Sequence, residues 1–245
     1  MLKKRVFPPH HNVRGNDPNY ERIVFLHAFD DAIKGGHFHI EEMEKVVAMT
    51  AMSMAIILGP KLGSTIKDLV DRNKVLDFVL PSFRAKKKPE EWAKAVLEVR
   101  DSLVASDPGD LGDLFLGIVQ PSPLYGFQWF YVYKMENANS GLPSYYRSMP
   151  KELLLGFNLD GLTIFSTDHK ILQVVPYADI LRWGGAPTEF SLILNDPNQS
   201  EPFELKLVTT QAADMAAIIL DSIRGTILEQ AAINTQATLE GQAMV

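Results

Sequence analysis

The chain has 245 residues, 46% hydrophobic and 22% charged, with no cysteine and a formal net charge of −6. Its apolar content suffices for two modest cores. The absence of cysteine excludes disulfides, thiolate catalysis and cysteine-based zinc sites, and the acidic balance argues against broad nucleic-acid binding, which draws on surplus positive charge. The longest apolar runs, around Ala51 to Leu58 and Leu153 to Leu155, are too short to cross a bilayer as a helix. The basic start Met1-Leu-Lys-Lys-Arg-Val-Phe7 runs into Pro8 and Pro9 instead of a secretory signal core, so a cytoplasmic chain is expected.

Helical spacing dominates up to about residue 125. Tyr20 to Lys34 carries Ile23, Leu26, His27, Phe29 and Ile33 on an apolar stripe, and Gly35-Gly36 stops it. Glu41 to Gly59 is a second helix, with Met43, Val46, Val47, Met54 and Ile57 inward and Gly59-Pro60 as terminator. Thr65 to Val70 and Val75 to Val79 are short helical or turn pieces. Pro89 to Leu103 opens with proline and two glutamates, suited to a helix start, and buries Trp92, Ala95, Val96 and Val99. Asp110 to Val119 is a last helix with Leu111, Leu114, Phe115 and Ile118 inward.

After Pro121 the period becomes two. Phe127 to Tyr133 is rich in aromatic and branched residues, and Asn137 to Tyr145 reads as a polar loop. Leu153 to Asn158 and Leu162 to Ser166 form a hairpin around Asp160-Gly161. Strands follow at Ile171 to Val175, Ile180 to Trp183, Glu189 to Leu194 and Phe203 to Val208. Gln211 to Gln230 is a closing helix with Met215, Ile219, Ile223 and Ile227 on one face. The fold class expected is therefore α+β in two domains, an all-α bundle and then an antiparallel β-sandwich corked by a helix.

The segment Ile180 to Leu194 joins two strands through Trp183 and a glycine pair. A strand left unpaired beside a terminal helix offers its backbone to an extended peptide. Trp183 could anchor such a ligand or simply cover the core, and the Met215 to Ile227 stripe is foremost a packing face. Arg84, Lys86, Lys87 and Lys88 could meet anionic lipid headgroups, but Glu90 and Glu91 follow at once, which suits a solvated loop. His37 and His39 lack a third ligand, so no metal is expected. Asp30 and Asp31 point about 100° apart on a helix and do not form an acid-base pair. Phosphate-loop, nucleophile-elbow and His-Glu-x-x-His motifs are absent from the sequence, so no catalytic residue, no cofactor and no enzymatic activity are expected.

A helical lobe running into Pro123-Leu-Tyr-Gly-Phe-Gln-Trp-Phe-Tyr-Val132, then Leu154-Leu-Gly-Phe-Asn-Leu-Asp-Gly-Leu162, then Ile180-Leu-Arg-Trp183, resembles the second and third lobes of a FERM domain over nearly the whole chain. The helical half, with Leu80-Pro81, Trp92 and Pro123 to Gly126, is most similar to MyTH4-FERM myosin tails of the myosin VII kind. The sheet half, from Arg182-Trp183 to Phe190 and from Val208 to Met215, is similar to talin. The resemblance implies an acyl-CoA-binding-protein-like bundle, used without that ligand, followed by a lobe of the pleckstrin-homology and phosphotyrosine-binding (PH/PTB) superfold. The implied layout is a remnant of a preceding lobe or linker at 1–15, the helical lobe at 16–124, the PH/PTB-like lobe at 125–230 and a flexible tail at 231–245. The ubiquitin-like first lobe is missing and Leu2 to Phe7 resembles its last strand, so the chain is expected to belong to a longer protein.

The implied work is non-enzymatic. It ties actin cytoskeleton or a myosin motor to cytoplasmic tails of adhesion receptors or to cargo, in the cytoplasm and at the periphery of the plasma membrane. By analogy with talin, a peptide lies along Ile180 to Trp183 and fills a pocket bordered by Arg182, Gly184 and Leu205, with Met215 and Ile219 on the closing helix. Leu205 stands where an aromatic residue would complete that pocket, and Gly184 offers less wall than alanine. The alternatives are intramolecular docking on upstream domains of the same chain and peripheral contact with anionic phospholipid through Arg84, Lys86, Lys87 and Lys88.

Overall fold

Among the described residues, the helical spacing of the first half is realised in four α-helices: α1 (Pro18–Phe29), α2 (Met43–Leu58), α3 (Pro89–Leu103) and α4 (Pro108–Val119). The computed structural model describes residues 18–103, 108–135 and 141–225, which divide into two units, one ending at Tyr125 and the other starting at Gly126. The expected remnant strand at Leu2 to Phe7, the tail at 231–245 and the last residues of the closing helix lie outside the described residues.

In the first unit α2 packs against α3 and α4, and α1 against α4. Apolar around its whole circumference, α2 is buried on every side from Met49 to Met54, as expected of a central helix. Its two buried hydroxyls return to the preceding turn, Thr50 donating to the Val46 carbonyl at 2.8 Å and Ser53 to that of Met49 at 2.7 Å, so neither is left unsatisfied. The buried residues of α1 are Val24, Phe25, Ala28 and Phe29, followed by Ile33, so the expected Phe29 and Ile33 are inward while Ile23, Leu26 and His27 are half-buried beside the stripe. Phe25 meets Phe115 of α4 edge to face at 5.1 Å. In α4 the inward residues are Leu111, Phe115, Leu116 and Val119, while Leu114 faces solvent.

The second unit contains β1 (Gln128–Lys134), α5 (Ser144–Ser148), β2 (Glu152–Phe157), β3 (Gly161–Phe165), β4 (Ile171–Pro176), β5 (Ile180–Ala186), β6 (Glu189–Leu194), β7 (Phe203–Val208) and a closing helix α6 at 212–225. Every strand pair is antiparallel and the sheet order is β4-β3-β2-β1-β7-β6-β5. Val132, Leu153, Leu155, Leu162, Phe190, Leu192, Leu205 and Leu207 point to one side and form the core with Met215, Ile218 and Ile219 of α6. This is the expected α+β class, a helical bundle and then a sheet closed by a helix.

The β2–β3 turn is held by Asn158, whose side-chain oxygen accepts from the N–H groups of Asp160 at 2.9 Å and Gly161 at 3.1 Å. Part of the expected polar loop is helical instead: Ser144–Ser148 forms α5 and drives Tyr146 into the core. Lys134 of β1, itself buried, makes α5 possible. Its ammonium donates to the carbonyls of Tyr146, Arg147 and Met149 at 3.2, 2.7 and 2.6 Å, using all three donors at the end of the helix, where the Tyr146 carbonyl also accepts from the Met149 N–H at 3.3 Å.

Candidate peptide-docking site

The sheet has β5 at one edge, paired with β6 and with no other strand among the described residues. The strand continues past Trp183 through Gly184 and Gly185 to Ala186. A register shift between Ile180 and Arg182 makes Leu181 an extra residue, and Leu181 is exposed. Such a bulge re-aims the strand locally.

Register decides which side chains meet. Trp183 stands opposite Leu192 and Gly185 opposite Phe190, both core residues, whereas Arg182 and Gly184 stand opposite Ile193 and Ser191. Leu192 is in turn paired with Leu205. Trp183, Gly185 and Leu205 therefore share the inner face with α6, and Arg182 and Gly184 lie on the outer face. Leu205, Met215 and Ile219 are fully buried, so they form packing floor and present no surface. Because Leu205 lies on the face opposite Arg182 and Gly184, the three do not border one pocket.

The inner side of β5 is built by a contact the sequence reading missed. A Cβ on Gly185 would come within 2.5 Å of the Ala212 Cβ at the start of α6 and 3.1 Å of the Glu189 carbonyl oxygen. The absence of a side chain is what lets helix and strand approach, and the Gly-Gly pair inside a strand was the available signal. Over Gly184 the space is open. Trp183, Ala216 and Ile223 are half-buried against the core, and Leu220 of α6 is exposed. The strand edge with Arg182 and Trp183, next to an apolar helix flank, is the surface that an extended segment could use.

In the basic segment Arg84, Lys86 and Lys88 are exposed and Lys87 is half-buried. The Arg84 guanidinium donates to the carbonyls of Val79 at 3.0 Å and Ile33 at 3.1 Å. Lys86 lies 3.5 Å above the Phe83 ring and Lys87 5.6 Å from the Trp92 ring, and the Lys88 N–H donates to Glu91 at 2.9 Å where α3 begins. Asp30 pairs with Lys34 at 2.7 Å and Asp31 faces His27 at 3.7 Å. Among the described residues no group of three or more His, Asp or Glu could hold a metal ion, and no helix is long and apolar enough to cross a membrane. The first unit also has a cavity of about 400 Å³ floored by Phe38, Val119 and Leu124 and rimmed by Glu41, Glu42 and Lys45.

A seven-stranded antiparallel sheet closed by α6, preceded by this helical bundle, is the fold of the central and C-terminal lobes of a FERM domain. Residues 142–227 match the family of PTB domains of the IRS-1 type. In solved structures the chain is similar to the C-terminal MyTH4-FERM domain of human myosin 7b in complex with the harmonin-a PDZ3 domain, at 17% identity and a TM-score of 0.68, over 91% of this chain and 42% of that one. It is similar to the first MyTH4-FERM domain of Dictyostelium discoideum myosin VII at 16% identity, with a TM-score of 0.60 over 91% and 42%. A complex of the FERM and C-terminal domains of Drosophila Merlin gives 14% identity and 0.56 over 95% and 72%. The chain thus spans well under half the length of those myosin chains. No curated relative matches by sequence.

Proposed function

We propose that this chain is a non-enzymatic protein-interaction module that takes up an extended peptide along the outer edge of β5, beside α6. One observation carries the reading: β5 is bonded on one side only among the described residues while α6 is seated against its inner face at Gly185. An incoming strand gains main-chain hydrogen bonds from that edge, and the flank formed by Trp183, Ala216 and Leu220 reads its side chains. The partner class is the cytoplasmic tail of an adhesion receptor or a cargo protein, and the role is to link it to an actin-based motor or cytoskeletal assembly. The likeness to myosin VII FERM folds supports this setting.

Titration of the ¹⁵N-labelled chain with receptor-tail peptides checks the reading. Expected are saturable amide shifts confined to Leu181 through Ala186 and the first turns of α6, and their loss in Trp183→Ala. Absence of shifts there at millimolar peptide would overturn it. A second reading is docking of another part of the same protein in the same place; the Merlin structure, in which a FERM domain meets a C-terminal domain of that protein, favours it. Binding of separately expressed upstream or downstream segments, competed by tail peptides, distinguishes the two.

A further inference from the structure

The sheet has a second edge, and it is chemically unlike the first. β4 (Ile171–Pro176) pairs only with β3 among the described residues. Its six residues, Ile-Leu-Gln-Val-Val-Pro, carry no charge, and proline comes only at the end. Solvent-facing edge strands are normally blunted by lysine, proline, an inward charge or a bulge, because an unprotected edge templates pairing with another strand, and of these β4 has a single bulge and its terminal proline.

The register concentrates apolar surface on this edge. Thr163 is opposite Val174, Ile164 opposite Gln173 and Phe165 opposite Ile171, so Leu172 is a bulged residue. The bulge places Ile171 and Val174, three apart in sequence, on the same outer face. They are 62% and 54% exposed, Ile171 being the most exposed large hydrophobic side chain among the described residues. The Val174 carbonyl takes a hydrogen bond from the Gln173 side-chain amide at 3.2 Å, a local substitute for a strand alongside.

We infer that β4 pairs antiparallel with β4 of a second copy of this chain, so that two sheets join across a twofold axis. Antiparallel pairing of identical edges is self-complementary. With Leu172 opposite Gln173 of the second copy, Ile171 faces Val174 of the second copy and the reverse, closing four branched side chains on one face as two cross-strand pairs. No like charges meet across this strand, whereas the chain's net charge of −6 disfavours self-contact over acidic surface. β4 also offers no charged side chain with which to select a foreign peptide. A six-residue edge buries less than the roughly 1,200 Å² of a standard interface, so the dimer is weak, with a dissociation constant of about 10–1,000 µM.

Sedimentation velocity of the full 245-residue chain from about 1 to about 1,000 µM spans that range. Expected is a shift from monomer to dimer that Val174→Lys and Ile171→Lys each abolish while their melting temperatures stay near wild type, and that Arg182→Glu at the other edge leaves intact. Hydrogen exchange of the wild type needs no variant: amides of 171–176 gain protection as concentration rises. A chain monomeric throughout, lysine variants that dimerise as well as wild type, or protection that rises only outside 171–176 would overturn the inference. None of these outcomes bears on peptide uptake at β5.

Discussion

Gly184 and Gly185 are neighbours with opposite tolerance, because one has open space over it and the other has the start of α6. Adding a methyl at Gly185 forces Ala212 and the Glu189 carbonyl apart from contacts of 2.5 and 3.1 Å, and backbone yields far less readily than a side-chain tip. Gly185→Ala should cost about 1–3 kcal/mol, the usual range for overpacking, whereas Gly184→Ala, meeting nothing within 4 Å, should stay within about 1 kcal/mol of wild type. Urea denaturation of both variants checks the contrast; equal losses would mean that α6 does not lean on β5 as described.

Asp196 and Tyr145 supply a pH dependence from one hydrogen bond. Asp196 is buried and accepts from the Tyr145 hydroxyl and from the Asn198 backbone and side-chain amides at 2.9 and 3.0 Å. The Tyr145 bond first, then those of Asn198, hold its carboxyl below the usual range. A carboxylate depressed in the folded state stabilises above its unfolded value of about 4, and that stability is lost as pH falls through the folded value. Tyr145 is pushed up to about 12, by burial first and by the Asp196 bond second. Its contribution is present below about 10 and lost as pH rises through the folded value. Tyr145→Phe should therefore shallow the acid limb of the stability profile and part of the alkaline one, where Tyr177, also pushed up to about 12 by burial, still titrates. Thermal unfolding of wild type and variant between about pH 3 and pH 11 reads both limbs.

Among the elements, α5 depends on one buried amine more than on its own sequence. Five residues are too few to hold a helix in water, and the three carbonyls at its end are paired by Lys134. Lys134→Met keeps the length of the side chain and takes the ammonium donor from those carbonyls, leaving that of Tyr146 with the Met149 N–H alone, so it should cost about 3 kcal/mol and loosen Tyr146. Chemical denaturation, with near-UV circular dichroism reporting on the tyrosines, measures both. This is also why α5 was illegible: Ser144 to Ser148 has no apolar period, and its support comes from β1. Most other elements were legible because one period governs each of them. Phe203–Val208 and Glu189–Leu194 alternate cleanly, and Pro89–Leu103 announces its own start. At the candidate site the strand and helix could be seen in the sequence but not the faces. A register shift at Leu181, set by pairing with β6, decides that Trp183 looks to the same inner face as Leu205 while Arg182 and Gly184 look out, and no local pattern encodes it. The α1 stripe was legible at Phe29 and Ile33 but not at its start, since Phe25 answers to Phe115 on another helix.

At the scale of the whole chain, each unit encloses a core made from its own residues. In the second unit this holds on both faces of the sheet. The inner face is closed by α6. On the outer face Phe165 is covered by Phe127 at 5.6 Å and Trp129 at 5.0 Å, and His169 lies edge-on to Trp129 at 5.6 Å. Gly156 beneath them leaves the room these rings need, since a Cβ there would come within 2.7 Å of Phe127 and 2.9 Å of Phe165. All of these residues lie after Tyr125, where the first unit ends, and a segment of this size is above the limit of about 40 residues below which a fold needs staples. Residues 126–245 expressed alone should accordingly fold, giving a dispersed amide spectrum and one cooperative thermal transition. Gly156→Val in that fragment should abolish the cooperativity, because the branched side chain displaces both rings at once. A fragment with native far-UV but no near-UV circular dichroism would show that the outer aromatic cluster is held by the helical unit, and the two lobes would then have to be treated as one cooperative body.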